Sequence, residues 1–242
     1  MKTSLLNIPW ERKLQSRFHS LNDTELEKLR AALNCTLYLS LRARIGSPSL
    51  SAVVYKTEVS GFPVAVKFEP NMNKAISEVD IHYELTNRIP DYVLHYYDAQ
   101  QCTTESHTYL ILAMELATGD LTQVLRQGSI EYDELRVLII DVFYSIEEMS
   151  KCSVYHGDLH AANIFVINRG GRNLAVIGDF GESTYSQSET KHLSDAYRFI
   201  SSLIEWIHTT GFVYGVYDLK KALKLCGNEN ARTEDFVQIF DY

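Results

Sequence analysis

The sequence predicts an α+β fold, with a small antiparallel sheet first and a mostly helical region after it. Residues 41–69 consist of strand-like apolar runs separated by a turn, and residues 109–117 form another such run. Residues 135–146 carry apolar side chains at three- and four-residue spacing, which is typical of a buried helix. Two short apolar strands, at 164–167 and 174–177, lie within the second region. Strands followed by helices are the arrangement of an α+β domain.

Residues 1–40 are predicted to form a helical extension. Residues 25–33 have apolar side chains at helical spacing, and Asn22 or Asp23 could cap that helix. Its apolar face could pack on the sheet-containing region, or it could be a docking face for a partner.

Composition and charge limit the classes of function. The chain has 242 residues, of which 45% are hydrophobic, enough for one domain or two small lobes. A net charge of −8 argues against general binding to nucleic acid or anionic membranes. The four cysteines are far apart and include no C-x-x-C pair, which predicts reduced thiols in a cytoplasmic protein rather than zinc or disulfides. No apolar run is long enough to span a membrane, and the first ten residues lack the apolar core of a signal peptide.

The most informative stretch is 153–166, a polar cluster between two apolar runs. It contains His156, Asp158, His160 and Asn163, and Asp179 follows at the end of the next strand. One carboxylate could orient a hydroxyl group, while an amide oxygen and a second carboxylate could hold Mg²⁺. A zinc site made by the two histidines is disfavoured, because they lie on a loop among carboxylate and amide ligands.

These residues resemble the signatures of the protein-kinase superfamily. The stretch H-G-D-L-H-A-A-N at 156–163 is similar to the H-x-D-L-x-x-x-N catalytic loop, and Asp179-Phe180-Gly181 matches D-F-G. Both occur in the family's order with a strand between them, and the resemblance extends over about residues 42–209. It implies a bilobal, kinase-like fold with an antiparallel-sheet N-lobe at 41–116 and a truncated, mostly helical C-lobe at 117–242.

The resemblance implies catalytic roles for several of these residues. Asp158 would orient the substrate hydroxyl and accept its proton, and Asn163 and Asp179 would hold Mg²⁺ beside bound ATP. Lys67, at the end of the alternating strand V-A-V-K, would contact the phosphates and pair with Glu78 on the following helix. Glu84 is the alternative partner, but it faces another side of that helix. His160 stands where serine/threonine kinases carry a lysine that meets the γ-phosphate, and could assist weakly.

The same resemblance implies a nucleotide pocket. Its residues would lie in a glycine loop, on the sheet, in the linker between the lobes and on one strand of the C-lobe: Gly46, Ser51, Val53, Ala65, Lys67, Met114, Glu115, Ala117, Asp120 and Phe165. The glycine loop is degenerate, because Pro48 and Ser51 replace two of its three glycines and Pro48 has no N–H for a phosphate. Asp120 could contact the ribose or cap the next helix.

Two further departures concern regulation. Gly157 replaces the arginine of H-R-D, on which a phosphorylated activation loop docks in regulated kinases. Asp195 resembles the aspartate that holds the catalytic loop from the following helix, yet it is only 195 − 179 = 16 positions after Asp179. A full activation segment does not fit in that length.

Two more helices are predicted, at 217–225 and 233–239.

The resemblance therefore implies an ATP- and Mg²⁺-dependent protein kinase of the serine/threonine type that is not regulated by phosphorylation of the activation loop. It is similar to compact effector-type or viral kinases, which predicts a cytoplasmic protein, delivery into a host cell and a host protein as substrate. An activating protein partner could supply what the short segment lacks. The alternatives are a small-molecule phosphotransferase related to aminoglycoside and choline kinases, and a pseudokinase that acts as a binding module.

Overall fold

The structure is a computed structural model, and it describes residues 43–45, 52–59, 62–103, 108–128, 130–188, 190–210 and 215–241. The predicted N-terminal helix, Gly46, Pro48 and Ser51 lie outside the described residues. The described residues divide into two compact units, one comprising those up to Pro90 together with His95–Leu116, the other Asp91–Leu94 with those from Ala117 onwards.

The first unit is built on a five-stranded antiparallel sheet with the strand order β1-β2-β3-β5-β4. The strands are β1 (Ala43–Ile45), β2 (Val53–Val59), β3 (Phe62–Glu69), β4 (Tyr96–Thr103) and β5 (Thr108–Glu115). β3 and β5 lie in the middle of the sheet, which explains why their side chains form nearly continuous buried runs.

One helix, α1 (Met72–Arg88), packs against this sheet. Asn71 caps it by accepting a hydrogen bond from the Lys74 N–H at 3.2 Å. Its buried side chains recur at helical spacing and include Ala75, Val79 and Leu85. The helix ends just before Pro90, as expected for a residue that cannot continue a helix.

The second unit is mostly helical and carries two small pieces of sheet. Its strands are β6 (Gly119–Asp120), β7 (Val154–Tyr155), β8 (Ile164–Arg169), β9 (Arg172–Ile177) and β10 (Thr184–Tyr185), paired as β6-β8-β9 and β10-β7. Its helices are α2 (Leu121–Arg126), α3 (Tyr132–Lys151), α4 (Lys191–Thr210), α5 (Val216–Leu225) and α6 (Thr233–Phe240). Short 3₁₀ turns occur at Ala161–Asn163 and Phe180–Glu182.

An aromatic cluster forms the core between α3, α4 and α6. Phe143 stacks on Phe236 with ring centroids 4.8 Å apart and meets Phe199 edge-on at 6.3 Å. Phe240 also stacks on Phe143, with ring centroids 6.0 Å apart. Such pairs add to the gain from removing large apolar surfaces from water, so the C-terminal helix is an integral part of this core.

The α+β prediction is confirmed, because an antiparallel five-stranded sheet precedes a mostly helical region. The two helices predicted near the C-terminus are α5 and α6. No helix in the part of the chain that the structure describes is long and apolar enough to cross a membrane.

The expectation of reduced cysteines is wrong for Cys102. This buried residue of β4 forms a disulfide bond, while Cys152 and Cys226 are free thiols. Disulfide formation depends on separation in space rather than along the chain, so wide spacing in the sequence could not exclude it.

Candidate active site

A lysine and a glutamate form a buried ion pair in the first unit. Lys67 Nζ donates hydrogen bonds to both carboxylate oxygens of Glu78, at 2.7 and 2.9 Å. The two residues are only 5% and 2% exposed. β3 places Lys67 opposite Leu112 in the middle of the sheet, and α1 brings Glu78 to it. A single charge buried here would be strongly unfavourable, so each residue depends on the other.

The alternative partner, Glu84, is engaged elsewhere. It pairs with Arg88 at 2.7 Å on the outer side of α1, where 31% and 50% of the two side chains are exposed. Six residues correspond to about 600° around a helix at about 100° per residue, so Glu84 and Glu78 point in different directions. Glu78 is therefore the partner of Lys67.

Four other residues predicted to contact a nucleotide also belong to the first unit. Ala65 faces Met114 across the β3–β5 pair, and both are buried. Val53 begins β2 and is half-buried. Glu115 ends β5, where its backbone N–H donates to the His95 carbonyl at 2.9 Å and its carboxylate accepts from the His95 N–H at 3.3 Å. These contacts fix the backbone at the end of β5.

In the second unit, β6 and β8 bring Asp120 opposite Phe165. Asp120 is the N-cap of α2: its carboxylate accepts the Gln123 N–H at 2.9 Å, and the Gln123 side chain accepts the Asp120 N–H in return. Of the two roles expected for Asp120, helix capping is therefore the one whose hydrogen bonds are formed in the structure. Ala117 lies between β5 and β6 and is half-buried.

The catalytic-loop motif begins with a buried histidine. His156 Nε2 is 3.1 Å from the Gly178 carbonyl, and its Nδ1 accepts the Asp158 N–H at 3.3 Å. These partners specify the neutral tautomer with the proton on Nε2. Burial lowers the pKa of His156, which also favours the neutral ring. Both ring nitrogens are engaged, so His156 supports the loop and is not a metal ligand.

Two residues of the loop, Asp158 and Asn163, carry side-chain oxygen atoms that can accept a hydrogen bond or bind a cation. The Asp158 carboxylate is half-exposed. Asn163 is buried and donates its Nδ2 hydrogen to the Asp158 carbonyl at 3.0 Å, which orients the amide so that its oxygen is the acceptor end left for a ligand. The loop thus presents one carboxylate and one amide oxygen.

Asp179 comes to the same end of the β8–β9 hairpin as Asn163. Ile164 faces Ile177 in this pair, and the Gly178 N–H donates to the Asn163 carbonyl at 3.1 Å. Asp179 itself has left-handed backbone angles, φ 62° and ψ 70°. Such a conformation is unfavourable for a residue other than glycine and is found preferentially at functional sites. A carboxylate and an amide oxygen are the hard ligands that Mg²⁺ prefers.

The loop backbone is held from α4. Asp195 accepts the His156 N–H at 2.9 Å and the Gly157 N–H at 3.2 Å. Burial raises the pKa of Asp195 to about 6, although these two hydrogen bonds act in the opposite direction. A third contact, at 3.0 Å, joins the Ala161 N–H to the Ser202 hydroxyl oxygen.

Two basic side chains lie beside Asp158. His160 Nε2 is 3.6 Å from Asp158 Oδ2, and Arg198 Nη1 is 3.9 Å from Asp158 Oδ1. His160 is one of the predicted site residues, whereas Arg198 was not assigned a role from the sequence. Its position three residues after Asp195 was the available signal, since residues three apart share a helix face.

Comparison with known proteins gives the family. The protein kinase domain family matches residues 42–213. The chain belongs to this family. It is similar to the serine/threonine-protein kinase sid1 of Schizosaccharomyces pombe, with 28% identity over 154 residues. That stretch is 62% of this chain and 31% of the relative, so the chain spans about a third of that relative's length.

The catalytic loop of this protein kinase domain is tightly constrained at Gly157. This residue has φ +82°, and a Cβ atom there would lie 2.5 Å from the Glu182 carbonyl oxygen. A side chain at this position would therefore collide with the segment that follows the D-F-G motif. The glycine in place of the H-R-D arginine matches this close approach.

The segment after D-F-G is short and anchored to the same loop. β10 pairs with β7, and the Ser186 N–H donates to the Ser153 carbonyl at 2.7 Å. The Ser183 hydroxyl donates to the His156 carbonyl at 3.1 Å. α4 then begins at Lys191, so little chain remains between the D-F-G motif and the helix that holds the loop.

Proposed function

We propose that this kinase domain transfers the γ-phosphate of ATP to a serine or threonine hydroxyl of a protein substrate. The buried pair of Lys67 and Glu78 is the observation that carries the proposal. Two charges are taken out of water here at a cost that a purely apolar pair would avoid. In protein kinases this ion pair must be in place for the lysine to hold the phosphates, and here it is formed.

The roles proposed for the second unit follow from the exposed and hydrogen-bonded groups of the loop. Asp158 accepts the hydroxyl proton, since its carboxylate is half-exposed while its backbone is fixed through His156. Asn163 and Asp179 would hold Mg²⁺, which supplies positive charge to the phosphates when bound. His160 assists as a weak donor beside Asp158.

For nucleotide binding we retain the residues expected from the family resemblance. Besides Lys67 they are Gly46, Ser51, Val53, Ala65, Met114, Glu115, Ala117, Asp120 and Phe165. Among them, the buried Ala65–Met114 pair supports an apolar surface for a base. Asp120 caps α2, so its proposed contact with the ribose would have to use the carboxylate in addition to that capping role.

We further propose that activity does not depend on phosphorylation of the segment after D-F-G. Gly157 provides no arginine to bind a phosphate, and strand pairing already holds Thr184–Tyr185 against the loop.

The division into an extension at 1–40, an N-lobe at 41–116 and a C-lobe at 117–242 stays part of this proposal. Cytoplasmic location, delivery into a host cell, a host protein substrate and an activating partner stay predictions.

The test is phosphate transfer from γ-labelled ATP with Mg²⁺, using the purified chain. The wild type is compared with Asp158→Asn and Asp179→Ala, and Asp133→Asn is the matched control because this aspartate is exposed on α3. Acceptors are a cell lysate whose own kinases have been heat-inactivated, a panel of aminoglycosides, and choline. Phosphoamino-acid analysis of the labelled protein separates serine and threonine from tyrosine.

Label on serine or threonine that depends on Asp158 and Asp179, but not on Asp133, supports the proposal. Transfer to aminoglycosides or choline alone would indicate a small-molecule phosphotransferase. Nucleotide binding without any transfer would indicate a pseudokinase. Either of the last two results overturns the proposal.

A further inference from the structure

One face of α4 contacts the catalytic loop at three successive points. Asp195, Arg198 and Ser202 are three and four residues apart, so they lie on the same side of the helix. Asp195 contacts the backbone of residues 156 and 157, Arg198 approaches the side chain of residue 158, and Ser202 contacts the backbone of residue 161. The order along the helix therefore follows the order along the loop.

Arg198 differs from its two neighbours because it acts on a side chain. Its guanidinium lies 3.9 Å from Asp158 Oδ1, while His160 lies 3.6 Å from Oδ2, so each carboxylate oxygen has one basic side chain beside it. Arginine is effectively always charged in proteins, whereas histidine is charged only when protonated. Arg198 is thus the permanent positive charge beside Asp158.

The distance between the Arg198 guanidinium and the Asp158 carboxylate shows which kind of contact they make. At 3.9 Å the guanidinium attracts the carboxylate but is too far away for a hydrogen bond. Asp158 Oδ1 therefore keeps its capacity to accept a hydrogen bond from a substrate hydroxyl. Both side chains are about half-exposed, so solvent partly screens the attraction and the carboxylate stays accessible.

We propose that Arg198 is a positioning residue for Asp158. It holds the carboxylate in the orientation that accepts the hydroxyl proton, and α4 supplies it because the hydrogen bonds of Asp195 and Ser202 fix this helix against the loop. The inference rests on the proposed function for its kinetic consequences. Its structural part, the orientation of Asp158, can be measured without activity.

The kinetic test compares Arg198→Ala and Arg198→Lys with the wild type. Arg172→Ala is the matched control, because Arg172 also pairs with an aspartate, Asp141 at 3.4 Å, but lies outside the catalytic loop and is 63% exposed. Arg198→Ala should lower kcat about tenfold or more, as expected for a misplaced catalytic group, with the KM for ATP within about twofold of wild type. Arg198→Lys should recover most of the loss, and Arg172→Ala should change neither constant.

The second measurement is the distribution of Asp158 χ1 rotamers by NMR scalar couplings, in wild type and Arg198→Ala. A single rotamer in the wild type that becomes averaged in the variant supports the proposal, whether or not the chain transfers phosphate. Unchanged rotamers overturn it, as does an active wild type with an unchanged kcat in Arg198→Ala. An inactive wild type with the expected rotamer change would overturn the proposed function alone.

Discussion

Replacing Gly157 by alanine should reduce the free energy of unfolding by more than the cost of a left-handed backbone conformation alone. Two costs are expected. The left-handed conformation, φ +82°, costs a residue with a Cβ about 1–2 kcal/mol. The added Cβ would also lie 2.5 Å from the Glu182 carbonyl oxygen, which is backbone and cannot rotate away. Relief of such overpacking costs about 1–3 kcal/mol more, so the total is about 3 kcal/mol.

Gly128 provides the matched control. It has a similar φ of +64°, but a Cβ there would meet nothing within 4 Å. Gly128→Ala therefore carries the conformational cost without the collision, and the difference between the two variants isolates the contact between Gly157 and Glu182. We expect that difference to be about 2 kcal/mol.

The assay is urea unfolding followed by intrinsic fluorescence and circular dichroism, together with kcat for phosphate transfer. Gly157→Ala should also lower kcat, since the Gly157 N–H is one of the two that Asp195 accepts. Equal destabilisation by the two alanines would refute the reasoning, because the close approach of the segment after D-F-G would then contribute nothing.

Three further outcomes are expected. Glu78→Ala leaves Lys67 buried without its carboxylate and should reduce the free energy of unfolding by about 3–5 kcal/mol, measured by urea unfolding; a loss below about 1 kcal/mol would contradict a buried pair. The pKa of Asp195 is raised from 3.8 to about 6, so its contribution to stability is fully present below about pH 4 and is lost as the pH rises through about 6. Across that range the free energy of unfolding of the wild type should fall by about 3 kcal/mol more than that of Asp195→Asn, at about 1.4 kcal/mol per pKa unit. If the unfolding free energies of the two proteins followed parallel pH profiles, this expectation would be wrong. Asp179→Ala should abolish turnover and weaken the Mg²⁺ dependence of nucleotide binding by calorimetry, whereas an unchanged Mg²⁺ dependence would exclude it as a ligand.

The elements that the sequence predicts well are those whose pattern is set by their own burial. α3 presents apolar residues at helical spacing, and β8 and β9 are short apolar runs, because each packs against the core along most of its length. β4 was not predicted. It lies at the edge of the sheet and reads Y-Y-D-A-Q-Q-C-T, so its strand conformation comes from pairing with β5 rather than from an alternating pattern of its own.

The candidate site divides in the same way. Lys67 and Asp158 lie in local motifs, which identify them without any knowledge of the contacts they make. The role of Arg198 depends on which loop the helix packs against, and a single arginine on a helix has no local pattern that indicates this. For Asp120 the sequence left two roles open, contact with the ribose and capping of the next helix. Its hydrogen bonds with Gln123 in the structure belong to the capping role.

By itself, the sequence determined the family, the helices and most of the longer strands, and the residue types available at the catalytic loop, because these depend on short-range spacing and on burial along each element. Only the tertiary structure decided that Lys67 and Glu78 form a buried ion pair, that a side chain at Gly157 would collide with Glu182, and that α4 contacts the catalytic loop from residues 38 to 41 positions away. Contacts of this kind are set by how elements pack against one another, and packing depends on the whole core rather than on any local stretch of residues.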